Sequence, residues 1–327
     1  MDLRGERPTP HDRHPGTVAG SVRRVGRKEL DAAGIHGPEL RASYERCRRL
    51  NAGHGKTYYL ATRLLPAARR PHVHALYGFA RYADEIVDDL GCTLSPPERA
   101  DRLQTWGDRF LADVRRGSST DPIGRAVVDT ARRFDLPVEH FEAFLGSMAM
   151  DLTVTEYATY KDLVEYVYGS ASVIGLLMLP VLGSTSPAAR QPAEDLGTAF
   201  QLANFIRDVG EDLDRGRVYL PLEDLERFGL TRADLERRVV DDRVRDLLRF
   251  EIARVRRLEA AARPGIALLD PSAQPCIEAA RVLYCGIVDA VEDIDFQVFS
   301  RRARVPLTRR VAVAVPALVA SRLPRCA

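Results

Sequence analysis

The sequence predicts an all-α protein built as one helical domain. Three observations carry this. Apolar residues recur at helical spacing almost continuously from Glu29 onward. No Asn-Gly or Asp-Gly signal sits between alternating runs, as a β-hairpin requires. Prolines and short polar caps punctuate the chain at helix-length intervals. No fixed-period repeat and no Pro/Gly/Ser-rich linker divides it. Residues 1–28, rich in Arg, Pro, Gly and His, are expected to form a disordered basic leader. Residues 29–306 would form the helical domain and 307–327 a C-terminal tail.

The elements follow in order. Pro38 opens a helix running to about Asn51. Pro71 stands where a first-turn proline belongs, ahead of HVHALYGFARYADEIVDDL. Ser95-Pro96-Pro97-Glu98 starts the next helix, with Leu103, Trp106, Phe110 and Leu111 as its apolar stripe. Asp121-Pro122 and Pro137 start two more. Thr159-Tyr160 precedes KDLVEYVYGSASVIGLLMLP, and Pro187 precedes the long run through QLANFIRDVGEDL. Asp241 to Ala262 is a charged helix with an apolar stripe, and the last strong helix spans about Pro275 to Val291.

Composition narrows the function. Of 327 residues, 45% are hydrophobic and 29% charged, which excludes a wholly disordered chain. Lys plus Arg is 48 against 46 Asp plus Glu, a net charge of +2, which argues against a dedicated nucleic-acid binder. The five cysteines form no CxxC pair, so neither a zinc ribbon nor a disulfide framework is indicated and a reducing cytoplasm is expected. The N-terminus has no apolar signal-peptide core. The most apolar stretches, 171–183 and 311–320, fall short of the roughly 18 residues a membrane helix needs. Peripheral contact with the inner face of the cell membrane stays open.

The first chemical signal is Asp84-Glu85-Ile86-Val87-Asp88-Asp89. Asp84 and Asp88, four apart, share one helical face, and the helix around them is apolar. The second is Arg207-Asp208-Val209-Gly210-Glu211-Asp212, where Asp208 and Asp212 repeat the spacing and Asn204 lies one turn earlier. Either pair alone is most often a solvated surface feature. Two pairs in apolar surroundings are costly without a cation. Oxygen-only donors select Mg2+, with Mn2+ as the alternative, and the absence of an accompanying His/Cys cluster disfavours zinc. Facing pairs would hold ions that bridge to a diphosphate and stabilise its departure. Arg81, Arg207, Lys56 and Arg217 are candidate phosphate donors; Arg301 and Arg302 are equally readable as surface residues. In the segment Tyr166–Gly175, Ala171 and Gly175 leave a shallow groove, readable either as tight helix packing or as the wall of a channel for a long apolar substrate.

Taken together these segments resemble the squalene/phytoene synthase family. The resemblance rests on HGKTYYLATRLLP (54–66), YGFARYADEIVDD (77–89), YVYGSASVIG (166–175), QLANFIRDVGEDLDRGRVYLP (201–221) and ARVLYCGIVDAVEDIDFQVFSRRARVP (280–306). It is nearest to the family's bacterial phytoene synthase branch. The resemblance implies an isoprenoid synthase fold, a single helical domain around a central cavity. It implies that Asp84, Asp88, Asn204, Asp208 and Asp212 hold Mg2+ and diphosphate, and that Lys56, Arg81 and Arg207 contact phosphate. Tyr77, Tyr166, Gln201 and Tyr284 would line the reaction cavity, beside Ala171 and Gly175, with Arg217–Tyr219 in a closing flap. Two departures stand out: Gly55 replaces a small hydroxyl residue, and Glu85 replaces an aspartate.

The implied reaction is a head-to-head prenyl transfer between two prenyl diphosphates, geranylgeranyl diphosphate preferred, through prephytoene diphosphate to 15-cis-phytoene. That route needs no NADPH. The alternative within the family uses farnesyl diphosphate to make presqualene diphosphate, squalene or a C30 carotenoid precursor. The alternative of another class is a non-catalytic helical partner subunit, which would be expected to lose one of the acidic pairs.

Overall fold

Glu29 is buried and pairs with Arg70 at 2.9 Å, and this anchors the first helix. The computed structural model describes residues 26–54, 56–88, 94–184 and 186–306, together with 308, 309 and 312. The side chains of His54, Lys56, Thr57 and Asp88 fall outside that description, as do Gly55 and residues 1–25. Helix α1 (residues 26–32) thus begins inside the stretch expected to be leader.

Proline and polar caps then set the helix starts as the sequence predicts. Pro38 is the first residue of α2 (Pro38–His54), and the short α3 (Lys56–Thr62) follows. Pro71 lies in the first turn of α4 (Arg70–Asp88), where a missing N–H costs no hydrogen bond. At α5 (Pro96–Arg116) the Ser95 amide donates to Glu98 Oε2 at 2.7 Å, and Gly117 ends the helix at φ 76°. The Asp121 carboxylate accepts the amides of Ile123 and Gly124 ahead of α6 (Gly124–Phe134), and Pro137 precedes α7 (Val138–Met150). Thr159 accepts the Asp162 amide at 3.2 Å to start α8 (Tyr160–Val167).

A π-helical turn, Tyr168–Ser172, joins α8 to α9 (Val173–Val181). After a 3-10 turn at Pro187–Ala189 comes the long α10 (Arg190–Asp214). Two short helices, α11 (Leu222–Arg227) and α12 (Arg232–Glu236), precede α13 (Asp242–Ala262), which Asp241 caps by accepting the Val244 amide. A 3-10 segment, Arg263–Leu268, leads to α14 (Gln274–Asp293). Among the described residues there is no β-strand, only an isolated bridge between Glu156 and Val218.

Two apolar clusters hold the helices. One joins α2 to α7 with α9, centred on Phe79, Phe110, Phe141 and Phe144; the other joins α8 and α10 to α14. Helix α10 touches both, packing on α9, the π-turn, α13 and α14. Its approach to the π-turn and α9 is backbone to backbone. A Cβ on Gly175 would stand 2.7 Å from the Ala193 carbonyl oxygen, and one on Gly197 2.9 Å from that of Ala171. Only glycine allows that separation. The run Tyr160–Val181 is long and apolar enough to cross a membrane by length and composition, which exceeds the sequence expectation because α8, the π-turn and α9 are continuous. Just over half of its apolar window, 56%, is buried in the fold, which suits a core helix.

Candidate active site

Helical spacing puts the acidic residues beside a cavity. The cavity measures about 340 Å³, within the range of small-molecule sites. Ala193, Leu196, Gly197, Phe200 and Gln201 of α10 line it, a single face of three- and four-residue steps. Asn204 and Asp208 lie three and seven residues beyond Gln201 on that same face, with Asp212 one turn further. On α4, Leu76, Tyr77 and Ala80 line the cavity. Asp84 follows Ala80 by four residues and Asp88 follows Asp84 by four. Each acidic pair therefore continues its helix's cavity-lining stripe.

An aromatic rim connects the two carboxylate ends. Tyr284 stacks on Phe200 at 4.8 Å and lies within electrostatic reach of both Arg207 and Tyr58. The Tyr58 ring is 5.7 Å from that of Tyr77, which feels the charges of Arg81 and Asp84. From this rim the cavity runs along α9 and α10, which pack antiparallel, Ala171 against Gly197 and Gly175 against Ala193. Its far end is formed by Leu182, Ala189, Pro192, Gly265, Ile266 and Leu269. From Gln201 to Ala189 the helical rise gives a depth of about 18 Å.

The rim is highly charged. Arg81 donates to Asp84 at 2.6 Å and to Glu85 at 3.1 Å. Arg207 forks onto Asp208, with Nε to Oδ1 at 2.7 Å. Arg302 also reaches Asp208, at 3.0 and 3.1 Å, and Glu211 at 3.1 Å. Burial, reinforced by the charge of Asp208, pushes the Asp212 carboxyl up to about 7, against the opposing pull of Arg215 and Arg217. A carboxylate in that position favours a cation. Among the described residues no three His, Cys, Asp or Glu side chains cluster closely enough to hold a metal by themselves. The donor set is nonetheless oxygen only, half-buried and like-charged, which fits a hard divalent cation whose remaining ligands are water and phosphate.

The expected flap segment is tied down next to this rim. Arg217 Nη2 donates to the Asp151 carbonyl at 2.8 Å, and Tyr219 donates to Asp151 Oδ1 at 3.0 Å. Tyr166 donates to the other oxygen, Oδ2, at 2.8 Å. Tyr219 stacks on Phe205 of α10 at 4.1 Å. Tyr166 is thus placed differently from the sequence expectation. It is not among the cavity-lining residues, because its hydroxyl is drawn to Asp151 and its ring packs with Tyr157, Phe205 and Tyr219.

Of the other expected residues, Tyr77, Ala171, Gly175, Gln201 and Tyr284 line the cavity. Gly175 serves both readings of its groove, as wall and as close helix contact. Lys56 and Asp88 sit on α3 and α4, with their side chains outside the described part. Sequence reasoning missed Tyr58, Phe200 and Asp151. Phe200 was legible, four residues from Leu196 on the cavity-lining face of α10; Asp151's role was not, since its partners lie 15 and 66–68 residues away.

Helices around an apolar cavity, with carboxylates and guanidinium groups at one end, are the arrangement an α-helical prenyltransferase needs. Residues 51–310 match the squalene/phytoene synthase family model, and the chain belongs to that family. It is 39% identical over 281 residues to the 15-cis-phytoene synthase of a Synechocystis species, covering 82% of each chain. It is 38% identical over 282 residues to the phytoene synthase of Arthrospira platensis, covering 82% of this chain and 90% of that one. A solved dehydrosqualene synthase superposes with a TM-score of 0.78 at 27% identity, covering 85% of this chain and 96% of its own. These relatives place the chain in carotenoid and isoprenoid biosynthesis.

Proposed function

We propose that the chain condenses two geranylgeranyl diphosphates head to head into 15-cis-phytoene, through prephytoene diphosphate. One observation carries the chemistry: each acidic pair extends the cavity-lining face of its own helix, so charged diphosphates and apolar tails have adjoining places. Asp84, Asp88, Asn204, Asp208 and Asp212 would hold Mg2+, with Mn2+ as a substitute. Bound there, the metal supplies positive charge that stabilises the departing diphosphate.

This chain's own residues do the rest. Arg81 and Arg207, with Lys56 and Arg217, bind and orient the phosphate oxygens. Tyr77, Tyr58 and Tyr284 present ring faces to the allylic cation formed when the C1–O bond of the donor chain breaks. The double bond of the acceptor chain attacks that carbon, and loss of a proton to the released diphosphate closes the cyclopropane ring. A second ionisation expels the acceptor's diphosphate, and after rearrangement a proton passes to that diphosphate to give the triene, with no hydride added and so no NADPH. Tyr219 and Arg217, held by Asp151, help exclude water from the rim.

The C20 substrate is favoured by identity: relatives named phytoene synthase share 38–39% with this chain, the dehydrosqualene synthase 27%. Farnesyl diphosphate with a C30 product is the competing outcome. We place the enzyme in the cytoplasm with peripheral contact to the membrane that receives its apolar product. Purified protein, Mg2+ and each prenyl diphosphate, with and without NADPH, analysed by chromatography and mass, test the reading. Phytoene from the C20 substrate is expected; a C30 product alone would reassign the substrate. No product from either would revive the role of a non-catalytic subunit.

A further inference from the structure

The residues after α14 fold back across the acidic end of α10. The chain turns through Asp295 and Phe296, both at positive φ (52° and 58°), and buries Phe296 and Val298. Gly210, between the two aspartates of α10, makes room for this return. A Cβ there would stand 2.8 Å from the Val298 carbonyl oxygen and 3.1 Å from the Phe299 Cα. The strap so positioned delivers Arg302 to Asp208 and Glu211 in three contacts of 3.0–3.1 Å. Arg302 comes from 94 residues away and joins Arg207 on the same carboxylate. Both Asp208 oxygens are occupied by guanidinium N–H groups.

A carboxylate oxygen engaged by a guanidinium is not available to a metal at full strength, because the two cations compete for the same negative charge. Arg207 is adjacent in sequence and can follow Asp208. Arg302 is on a separate segment and half exposed, so it can leave. A diphosphate offers it a replacement partner, since a guanidinium fork matches phosphate oxygens as well as carboxylate oxygens.

We propose that Arg302 is a counter-ion gate on Asp208. It weakens divalent-metal binding while diphosphate is absent and releases the carboxylate when diphosphate arrives, so that metal and diphosphate load together. The inference rests on the reading of Asp208 as a metal ligand and adds to it a coupling between the two ligands. Reciprocity follows: whatever factor diphosphate adds to metal affinity, metal adds to diphosphate affinity. The enzyme so arranged holds little free metal at its rim between turnovers.

The test is Mn2+ binding to the full chain, followed by electron paramagnetic resonance. It is run with and without inorganic diphosphate, the manganese–diphosphate complex measured without protein being subtracted. In the unaltered protein, Mn2+ alone is expected to bind weakly, and diphosphate to tighten it about tenfold. Arg302→Gln should bind Mn2+ alone about fivefold more tightly and show a correspondingly smaller gain from diphosphate. Arg302→Lys, which keeps the charge but loses the fork, should fall between the two. Equal or weaker Mn2+ affinity in Arg302→Gln, with the unaltered protein still binding metal, overturns the gate and leaves the metal site standing. No Mn2+ binding to the unaltered protein under either condition overturns the metal reading and the gate with it.

Discussion

Substituting Ala193→Phe should turn the enzyme from a C20 towards a C15 substrate. Residue 193 lines the cavity on α10, eight residues from Gln201, so it lies about 12 Å down a tunnel about 18 Å deep. A phenyl ring there closes off the last third, where Ala189, Pro192, Gly265 and Ile266 form the end wall. The fourth five-carbon unit of a C20 chain then loses its place. At about 0.8 kcal/mol per buried CH2, leaving five carbons in water costs about 4 kcal/mol, close to a thousandfold in kcat/KM. Farnesyl diphosphate, one unit shorter, keeps its contacts. Ala193 borders both the cavity and the close Gly175 contact, so the ring must turn into the cavity, and the melting temperature reports whether it does. The assay is a competition between labelled C20 and C15 diphosphates, read as the ratio of C40 to C30 hydrocarbon. An unchanged ratio with melting temperature preserved would show that the substrate tails do not occupy this tunnel, and the depth argument would fail.

Asp84→Ala and Asp208→Ala should each lower product formation by roughly a thousandfold while circular dichroism stays helical; undiminished turnover in either would count against the catalytic reading. Acid should destabilise the fold through two buried histidines. Burial lowers His72 to about 4 and His74 to about 3 from an ordinary value of 6.5. Their neutral forms support folding fully above pH 6.5, and that support is lost as pH falls from 6.5 towards 4 and 3. At pH 5 the loss is about 2 kcal/mol per histidine, visible as a lower urea midpoint than at pH 7.5; a pH-independent midpoint would refute it. Asp151→Asn should weaken two charge-assisted bonds from Tyr166 and Tyr219, costing about 2 kcal/mol. It should also speed tryptic cleavage after Arg215 and Arg217, and an unchanged cleavage rate would mean that Asp151 does not hold this segment.

Sequence reasoning captured what periodicity and capping chemistry encode. Pro38, Ser95, Thr159, Pro187 and Asp241 all mark helix starts or the turns ahead of them, because proline and short polar side chains act within a few residues of their own position. The DxxxD pairs were legible for the same reason. Long-range geometry was not. Nothing near Tyr166 announces that Asp151 will take its hydroxyl, and nothing near Arg302 announces Asp208. The π-turn at Tyr168–Ser172 was also invisible, since one wide turn leaves the surrounding apolar pattern intact. The short α11 and α12 escaped because five or six residues give too few turns to show a period.

The glycine contacts between α9 and α10 limit how this pocket can be re-engineered. Where main chains already touch, at Gly175 against Ala193 and Gly197 against Ala171, only alanine methyls remain to be trimmed. Random substitution can lengthen or plug the passage but cannot widen its bore along that seam. Libraries seeking bulkier, branched prenyl tails should therefore leave both glycines untouched and diversify other lining positions, such as Leu76, Ile277 and Ala280.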